Sequence, residues 1–260
     1  MTAEHVPPRR HSAVGIDAVA VVVPAHDEEA LVGGCLEALD EALDAAVREV
    51  ADLRIAVCVV LDRCSDATPR VVRDAVGRWH RPAVVRTVVT TGDRTVGELR
   101  TLGLDDAVRR LGDVPPGRVW LLSTDADTRV PPTWVRDHLR HAGAGADAVV
   151  GMVDLDGLTL LPDDVQCRYT DLVDAGITPD AHTHAYAANL GVRADAFQAV
   201  GGFPVVAAGE EHALLAALRG AGRRIVTPVG LRVRTSARTH GRAAGGLADL
   251  LRDLGARTAG

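Results

Sequence analysis

The chain contains no lysine. Its 29 basic residues are all arginine, and 35 Asp and Glu outweigh them to leave a formal charge of −6. That balance excludes a general nucleic-acid binder, which needs a basic surplus to displace counter-ions from phosphates. Aromatics are scarce, with 2 Phe, 2 Tyr and 3 Trp in 260 residues. This removes both a base-stacking platform and a broad aromatic face for sugars. The four cysteines, Cys35, Cys58, Cys64 and Cys167, match no zinc or redox spacing. They read as free thiols of a cytoplasmic protein, Cys35 and Cys58 serving as small core residues. Long apolar runs are also missing. Ala18–Ala25 and Ile55–Leu61 are eight and seven residues long, against about 20 for a membrane-spanning helix, so no transmembrane segment is expected. Met1–Gly15 lacks the apolar stretch of a secretory leader and reads as a flexible N-terminus. No repeat recurs at a period of 20–50 residues. What is present is ordinary for a globular chain, 47% hydrophobic and 25% charged, with length enough to bury a sizeable core.

The pattern predicts alternating strands and helices. Ala18–Val23 is a β-branched run stopped by Pro24 and reads as a buried strand. Helical spacing follows over Glu28–Leu53, through Leu31, Leu36, Leu39, Leu43 and Val47. Ile55–Leu61, Val84–Val89 and Arg118–Ser123 are further strands. Pro69–Trp79 and Val96–Leu111 are the helices between them, the first opened by proline. Strands apolar on both faces, alternating with helices, imply an α/β fold around a parallel sheet covered on both sides. Beyond them the spacing predicts a strand over Ala146–Val153, a helix over Asp163–Ala175 and an extended stretch over Ala185–Val192. A helix over Glu210–Ala221, two short strands within Ile225–Val233 and a helix over Gly245–Leu254 complete the chain. Gly143-Ala144-Gly145 is the best seam but too short for a free linker. We therefore read 16–260 as one domain with halves 16–142 and 143–260.

In such a sheet ligands bind beyond the carboxyl ends of the strands. The first strand is followed there by Pro24-Ala25-His26-Asp27-Glu28-Glu29 and the second by Asp62. Thr90-Thr91-Gly92-Asp93-Arg94 follows the third, and Asp125-Ala126-Asp127 the fourth. Carboxylates gathered beside an expected phosphate call for a divalent cation. Asp125 and Asp127, two apart just past a strand, project to one side and are able to grip an ion and a ribose together.

These residues form a familiar set. Val21–Glu29 (VVVPAHDEE) resembles the opening strand and Pro-x-x-Asn-Glu-Glu turn of inverting family-two glycosyltransferases. Val60–Thr68 (VLDRCSDAT) resembles their Val-Asp-Asp-Gly-Ser-x-Asp-x-Thr segment. Gly97–Gly103 (GELRTLG) is similar to Gly-x-x-Arg-Asn-x-Gly, and Ser123–Thr128 (STDADT) to the Asp-x-Asp motif. Gly201-Gly202-Phe203 with Gly209-Glu210-Glu211 resembles Gly-Gly-Phe…Glu-Asp. The matches run in family order from about residue 18 to 235. The resemblance implies a GT-A fold: a Rossmann-like, mostly parallel sheet flanked by helices, with a smaller acceptor-binding second half.

It also implies roles. Pro24 and Ala25 would line the nucleoside pocket, with Glu28 near the ribose or base. Asp62 would accept from a base N–H, and Arg100 would lie near the base or diphosphate. Asp125 would contact the ribose or the metal, and Asp127 would ligate Mg²⁺ or Mn²⁺ bridging the diphosphate. Glu211 stands where the family has a catalytic Asp, with Glu210 the alternative. The Gln-x-x-Arg-Trp motif of polysaccharide synthases is absent. In its place Arg238 or Arg242 is expected to pair with the diphosphate and His240 to complete the metal shell. The function implied is metal-dependent transfer of a hexose from a UDP-, GDP- or dTDP-sugar to a small-molecule or carrier-bound hydroxyl, with inversion.

Two alternatives stand beside it. One is a retaining GT-A transferase of the glucosyl-phosphoglycerate-synthase type, in which Glu211 is no base. The other is a non-catalytic nucleotide-sugar-binding module. A nucleotidyltransferase is disfavoured, because the first turn is acidic rather than Gly-rich and basic. Purely structural readings remain as well. Asp125 and Asp127 suit a turn, and Glu210 and Glu211 suit a helix N-terminus. His182 and His184, near Asp180, read as an acceptor loop in preference to a metal cluster. Asn189 reads equally as an acceptor contact or as strand-end packing.

Overall fold

The first apolar run forms β1 (Ala18–Ala25) in a computed structural model that describes residues 15–79, 84–241 and 245–256. It is followed by α1 (Val32–Glu49), β2 (Arg54–Asp62), α2 (Thr68–Val76), β3 (Val84–Thr90), α3 (Val96–Arg110) and β4 (Val119–Ser123). β1 pairs in parallel with β2 and β4, and β2 with β3. Alternate residues of β1 enter two separate cores. Val19, Val21 and Val23 pack with Leu36, Leu39 and Leu43 of α1, while Ala18, Ala20 and Val22 pack with Leu99 and Leu104 of α3. Both faces of the strand are thus dry, as its unbroken apolar run requires.

α1 starts at Val32 rather than at Glu28. The backbone N–H groups of Glu28 and Glu29 donate instead to Thr68 Oγ1 (2.7 Å) and Asp66 Oδ2 (3.0 Å), in and just before the first turn of α2. The turn after β1 is thereby tied to its neighbour and held out of the helix.

The chain continues through β5 (Thr128–Arg129), α4 (Trp134–Gly143), β6 (Ala148–Val150), β7 (Met152–Asp156), α5 (Asp163–Asp174), β8 (Leu190–Arg193) and α6 (Ala194–Ala199). It ends with α7 (Glu210–Gly220), β9 (Ile225–Val226), β10 (Arg232–Ser236) and α8 (Leu247–Ala256). The main sheet has seven strands in the order β3-β2-β1-β4-β8-β6-β9 and crosses the Gly143–Gly145 seam without a break. It is mostly rather than wholly parallel, because β8 runs antiparallel to both β4 and β6. A second sheet, β5-β10-β7, stands beside it. Among the described residues no helix is long and apolar enough to cross a membrane.

The strand expected over Ala146–Val153 is in fact two strands in different sheets, divided at Gly151. A Cβ there would collide with the Asn189 amide and with Leu231. Asn189 itself is fully buried. Its Oδ1 accepts from Trp134 Nε1 (2.8 Å) and His138 Nε2 (3.2 Å), and its Nδ2 donates to the carbonyls of Met152 (2.9 Å) and Leu231 (3.0 Å). The amide therefore joins the two sheets, so of its two readings packing holds and acceptor contact does not. Burial pushes the His138 imidazole down to about 3, keeping it neutral.

The glycine at 103 has a packing reason. A Cβ on this face of α3 would overlap the methyls of Val22 and Val60. Overpacking costs about 1–3 kcal/mol, against roughly 1 kcal/mol that alanine gains as a helix former. Gly103→Ala is expected to lower the urea midpoint, with a net loss of up to about 2 kcal/mol. An unchanged midpoint would show that α3 has room to shift.

Candidate active site

A cleft of about 630 Å³ opens at the carboxyl ends of β1, β2 and β4. Pro24, Ala25 and Glu28 reach it from the end of β1, Asp62 from β2 and Arg100 from α3. Asp125 and Asp127 line it from the turn after β4, Glu210 and Glu211 from the start of α7, and Arg238 from the segment after β10. His240 is not among the lining residues, and Arg242 lies outside the described residues, as does the N-terminus up to residue 14.

Two guanidinium groups organise the acids. Arg100 is 3% exposed. It donates to Asp125 Oδ1 at 2.6 Å, to Ser123 Oγ at 2.7 Å and to Glu210 Oε1 at 3.4 Å. It thus ties the β4 end to α7. Gly97, one turn earlier in α3, allows this approach, since a Cβ there would press on Glu210 and Phe203. Arg238 grips Glu28 through both of its terminal nitrogens, at 2.7 and 2.5 Å, and lies 2.9 Å from Asp127 Oδ2. Asp127 Oδ1 accepts from Thr235 Oγ1 at 3.2 Å, and Thr235 in turn accepts from Thr128 at 2.9 Å.

Burial, and then the charge of Asp125, push the Asp127 carboxyl up to about 6 despite Arg238 beside it. The acidic cluster is therefore short of positive charge, and its all-oxygen donor set suits a hard divalent cation. Asp125, Asp127 and Glu28 supply such donors, but with Arg238 seated among them their oxygens do not gather within 4.8 Å of one another. The expected third ligand does not join them. Among the described residues the ligand atoms of Asp125, Asp127 and His240 do not gather within 4.8 Å of one another, and His240 Nδ1 instead shares a hydrogen bond with Thr239 Oγ1 at 3.3 Å.

Asp62 is buried. Its Oδ1 accepts from Thr90 Oγ1 at 2.6 Å and its Oδ2 from Arg63 at 3.2 and 3.3 Å. His26 Nδ1 donates to the Asp62 carbonyl at 2.6 Å. Asp27, which the sequence left without a role, is held at a φ of +51°. Its Oδ1 accepts from the backbone of Ser65 (2.7 Å) and Asp66 (3.3 Å), clamping the β1 turn to the β2 turn. Those bonds hold its carboxyl below the usual range.

The two acids of α7 differ. Glu210 is paired with Arg100. Glu211 makes no ion pair with another described residue, and burial, followed by the charge of Glu210, raises its carboxyl above the ordinary range. A half-buried, unpaired carboxyl in a cleft has the properties of a general base. His182 and His184 are engaged elsewhere. Their Nε2 atoms bond the carbonyls of Val150 (3.0 Å) and Val173 (2.8 Å), and the His184 ring stacks on His182 at a centroid spacing of 5.9 Å and on Tyr186 at 5.7 Å. Tyr186 lines the cleft. It was missed in the sequence because nothing in its spacing separates it from core.

Comparison with known proteins agrees with this geometry. No curated protein matches the chain. Among solved structures it resembles S. aureus TarS 1-349 in complex with UDP, with a TM-score of 0.60 at 13% identity over 85% of this chain and 61% of that one. It also resembles the mannosyltransferase PcManGT from Pyrobaculum calidifontis in complex with GDP-Man and Mn²⁺, with a TM-score of 0.54 at 22% identity over 88% of this chain and 60% of that one. The chain thus spans about three-fifths of the length of these relatives, and the likeness is one of fold. The model for "Glycosyl transferase family 2" matches residues 20–163, more than half of the sequence. With that span matched and the fold shared, the chain belongs to glycosyl transferase family 2.

Proposed function

We propose that the protein transfers a hexose from a nucleoside-diphosphate sugar to a hydroxyl of a small or carrier-bound acceptor, with inversion and with Mg²⁺ or Mn²⁺ bound. The observation that carries this is the division of the cleft. Glu28, Asp125 and Asp127 crowd one wall with too little positive charge, while Glu211 on another makes no ion pair with a described residue. The UDP held by TarS and the GDP-Man and Mn²⁺ held by PcManGT support the reading.

In it, Pro24 and Ala25 border the nucleoside and Asp62 accepts from a base N–H. Glu28, Asp125 and Asp127 hold the cation, which when bound supplies Lewis-acid stabilisation of the departing diphosphate. Arg100 fixes Asp125 and Glu210 in place. Glu211 takes the proton of the acceptor hydroxyl as its oxygen bonds to the anomeric carbon. The bond from that carbon to the diphosphate breaks on the opposite face, and its electron pair leaves with the nucleotide.

The test is a thermal-shift titration of UDP, GDP and dTDP with and without Mn²⁺. At about 100 times Kd a ligand of the native state adds roughly 2.7 kcal/mol, or about 5–10 °C for a domain of this size. We expect one or more nucleotides to raise Tm in a metal-dependent way and Asp127→Ala to abolish the shift. No shift in a folded sample would overturn the donor site. The anomer formed on turnover, read by NMR, separates inversion from retention.

A further inference from the structure

The Arg238 guanidinium sits between two acids from different strand ends. It forks onto Glu28 at 2.7 and 2.5 Å and reaches Asp127 at 2.9 Å. These are acids assigned above to the cation, so one positive charge stands where two are expected. Arg238 is also able to leave. Its side chain is 26% exposed, against 7% for Glu28 and 14% for Asp127, and its flexible stem turns without moving the backbone. Arg100 has no such freedom, being held by Asp125, Ser123 and Glu210 with a side chain 4% exposed. The fork that fits Glu28 also fits a phosphate, and one fork does not serve both.

We propose that Arg238 is an exchangeable internal counter-ion: it fills the cation position in the free protein and moves to the donor diphosphate when nucleotide and metal arrive together. The proposal rests on the donor-site reading above and adds to it that the two ligands depend on each other. Metal alone drives the guanidinium out into water. Metal with a diphosphate gives it a new partner. The same exchange then appears as positive coupling between the two ligands, in the range of about 5–150-fold usual for linked sites.

The experiment is Mn²⁺ binding to the full chain, followed by calorimetry and by the EPR signal of free Mn²⁺, alone and with UDP or GDP. Wild-type protein is expected to bind Mn²⁺ weakly alone and about tenfold more tightly with the diphosphate. In Arg238→Gln, Mn²⁺ alone is expected to bind about tenfold more tightly than in wild type, while nucleotide affinity at saturating Mn²⁺ falls about tenfold. General loosening of the site would weaken both. Glutamine retains a donor for Glu28. Should it fail to fold, Arg238→Lys, with the charge but no fork, is expected to bind Mn²⁺ alone as wild type does and to lose the coupling. If wild type takes up nucleotide with Mn²⁺ but the variant binds Mn²⁺ alone no more tightly, the exchange is overturned and the donor site stands. If wild type binds neither ligand in any combination, both are overturned.

Discussion

Glu211→Gln is expected to lower kcat about 10³-fold, within the 10²–10⁴ that a positioned general base contributes, while leaving nucleotide affinity nearly unchanged. Glutamine keeps the shape and hydrogen-bonding reach of the side chain but does not take a proton from the acceptor. The wild-type pH profile carries a second test. Burial, and then Glu210, raise the Glu211 carboxyl above the ordinary range. The base is active when ionised, so kcat/KM is expected to be full at high pH and to fall as pH drops through that raised value. Glu210→Gln removes the neighbouring charge and is expected to shift the acid limb to lower pH. A limb that stays put would detach Glu211 from the profile. Full activity in Glu211→Gln, with retained anomeric configuration, would assign deprotonation of the acceptor to the leaving diphosphate.

Arg100→Met carries the largest expected loss of stability. The guanidinium is 3% exposed and is the ion-pair partner of both Asp125 and Glu210. Removing one side of a buried pair leaves the other charge uncompensated, at about 3–5 kcal/mol. Asp125 is one-third exposed and partly screened by solvent, so the lower end, about 3 kcal/mol, is expected. That corresponds to a fall in Tm of roughly 6–12 °C. Adding Glu210→Gln to Arg100→Met is expected to recover part of the loss, because one stranded charge disappears, and denaturant melts of the four-member cycle measure that coupling. Lysine at 100 is not an equivalent, since it lacks the fork that reaches Ser123, Asp125 and Glu210 at once. A Tm within about 1 °C of wild type in Arg100→Met would mean that solvent, not protein, compensates these acids.

The first half of the fold was legible because burial on both faces writes an unbroken apolar run, as in β1 and β2, and the intervening helices keep their period. Glu28, Asp62, Asp125 and Asp127 were legible for a local reason, since each stands at or just past the end of a strand, whereas Glu210 and Glu211, at the start of α7, were reached through the family resemblance. The rest depended on partners distant in sequence. Nothing in Ala146–Val153 marks Gly151 as the point where the chain changes sheets, because the crowding comes from Asn189 and Leu231. α4 lay hidden behind Pro131-Pro132, although Trp134 and Val135 are fully buried. Asp27 had no visible role because its clamp closes on Ser65 and Asp66. Arg238 was linked to the diphosphate by its type alone. That it first holds Glu28 and Asp127 is a matter of tertiary geometry, and so is the separation of His240 from the acids.

The Glu28–Arg238 pair closes a loop of 210 residues and the Arg100–Glu210 pair one of 110. The entropy of closing such loops rises only slowly with length, so their cost is modest, but their timing is not. A chain that folds from its N-terminus as it is made assembles β1 to β4 and sets out Glu28, Asp125 and Asp127 well before Arg238 exists. Until then Glu28 and Asp127 stand without the counter-charge that pairs them in the finished chain. A product cut short just before residue 238 would contain every strand of the main sheet and lack this counter-charge.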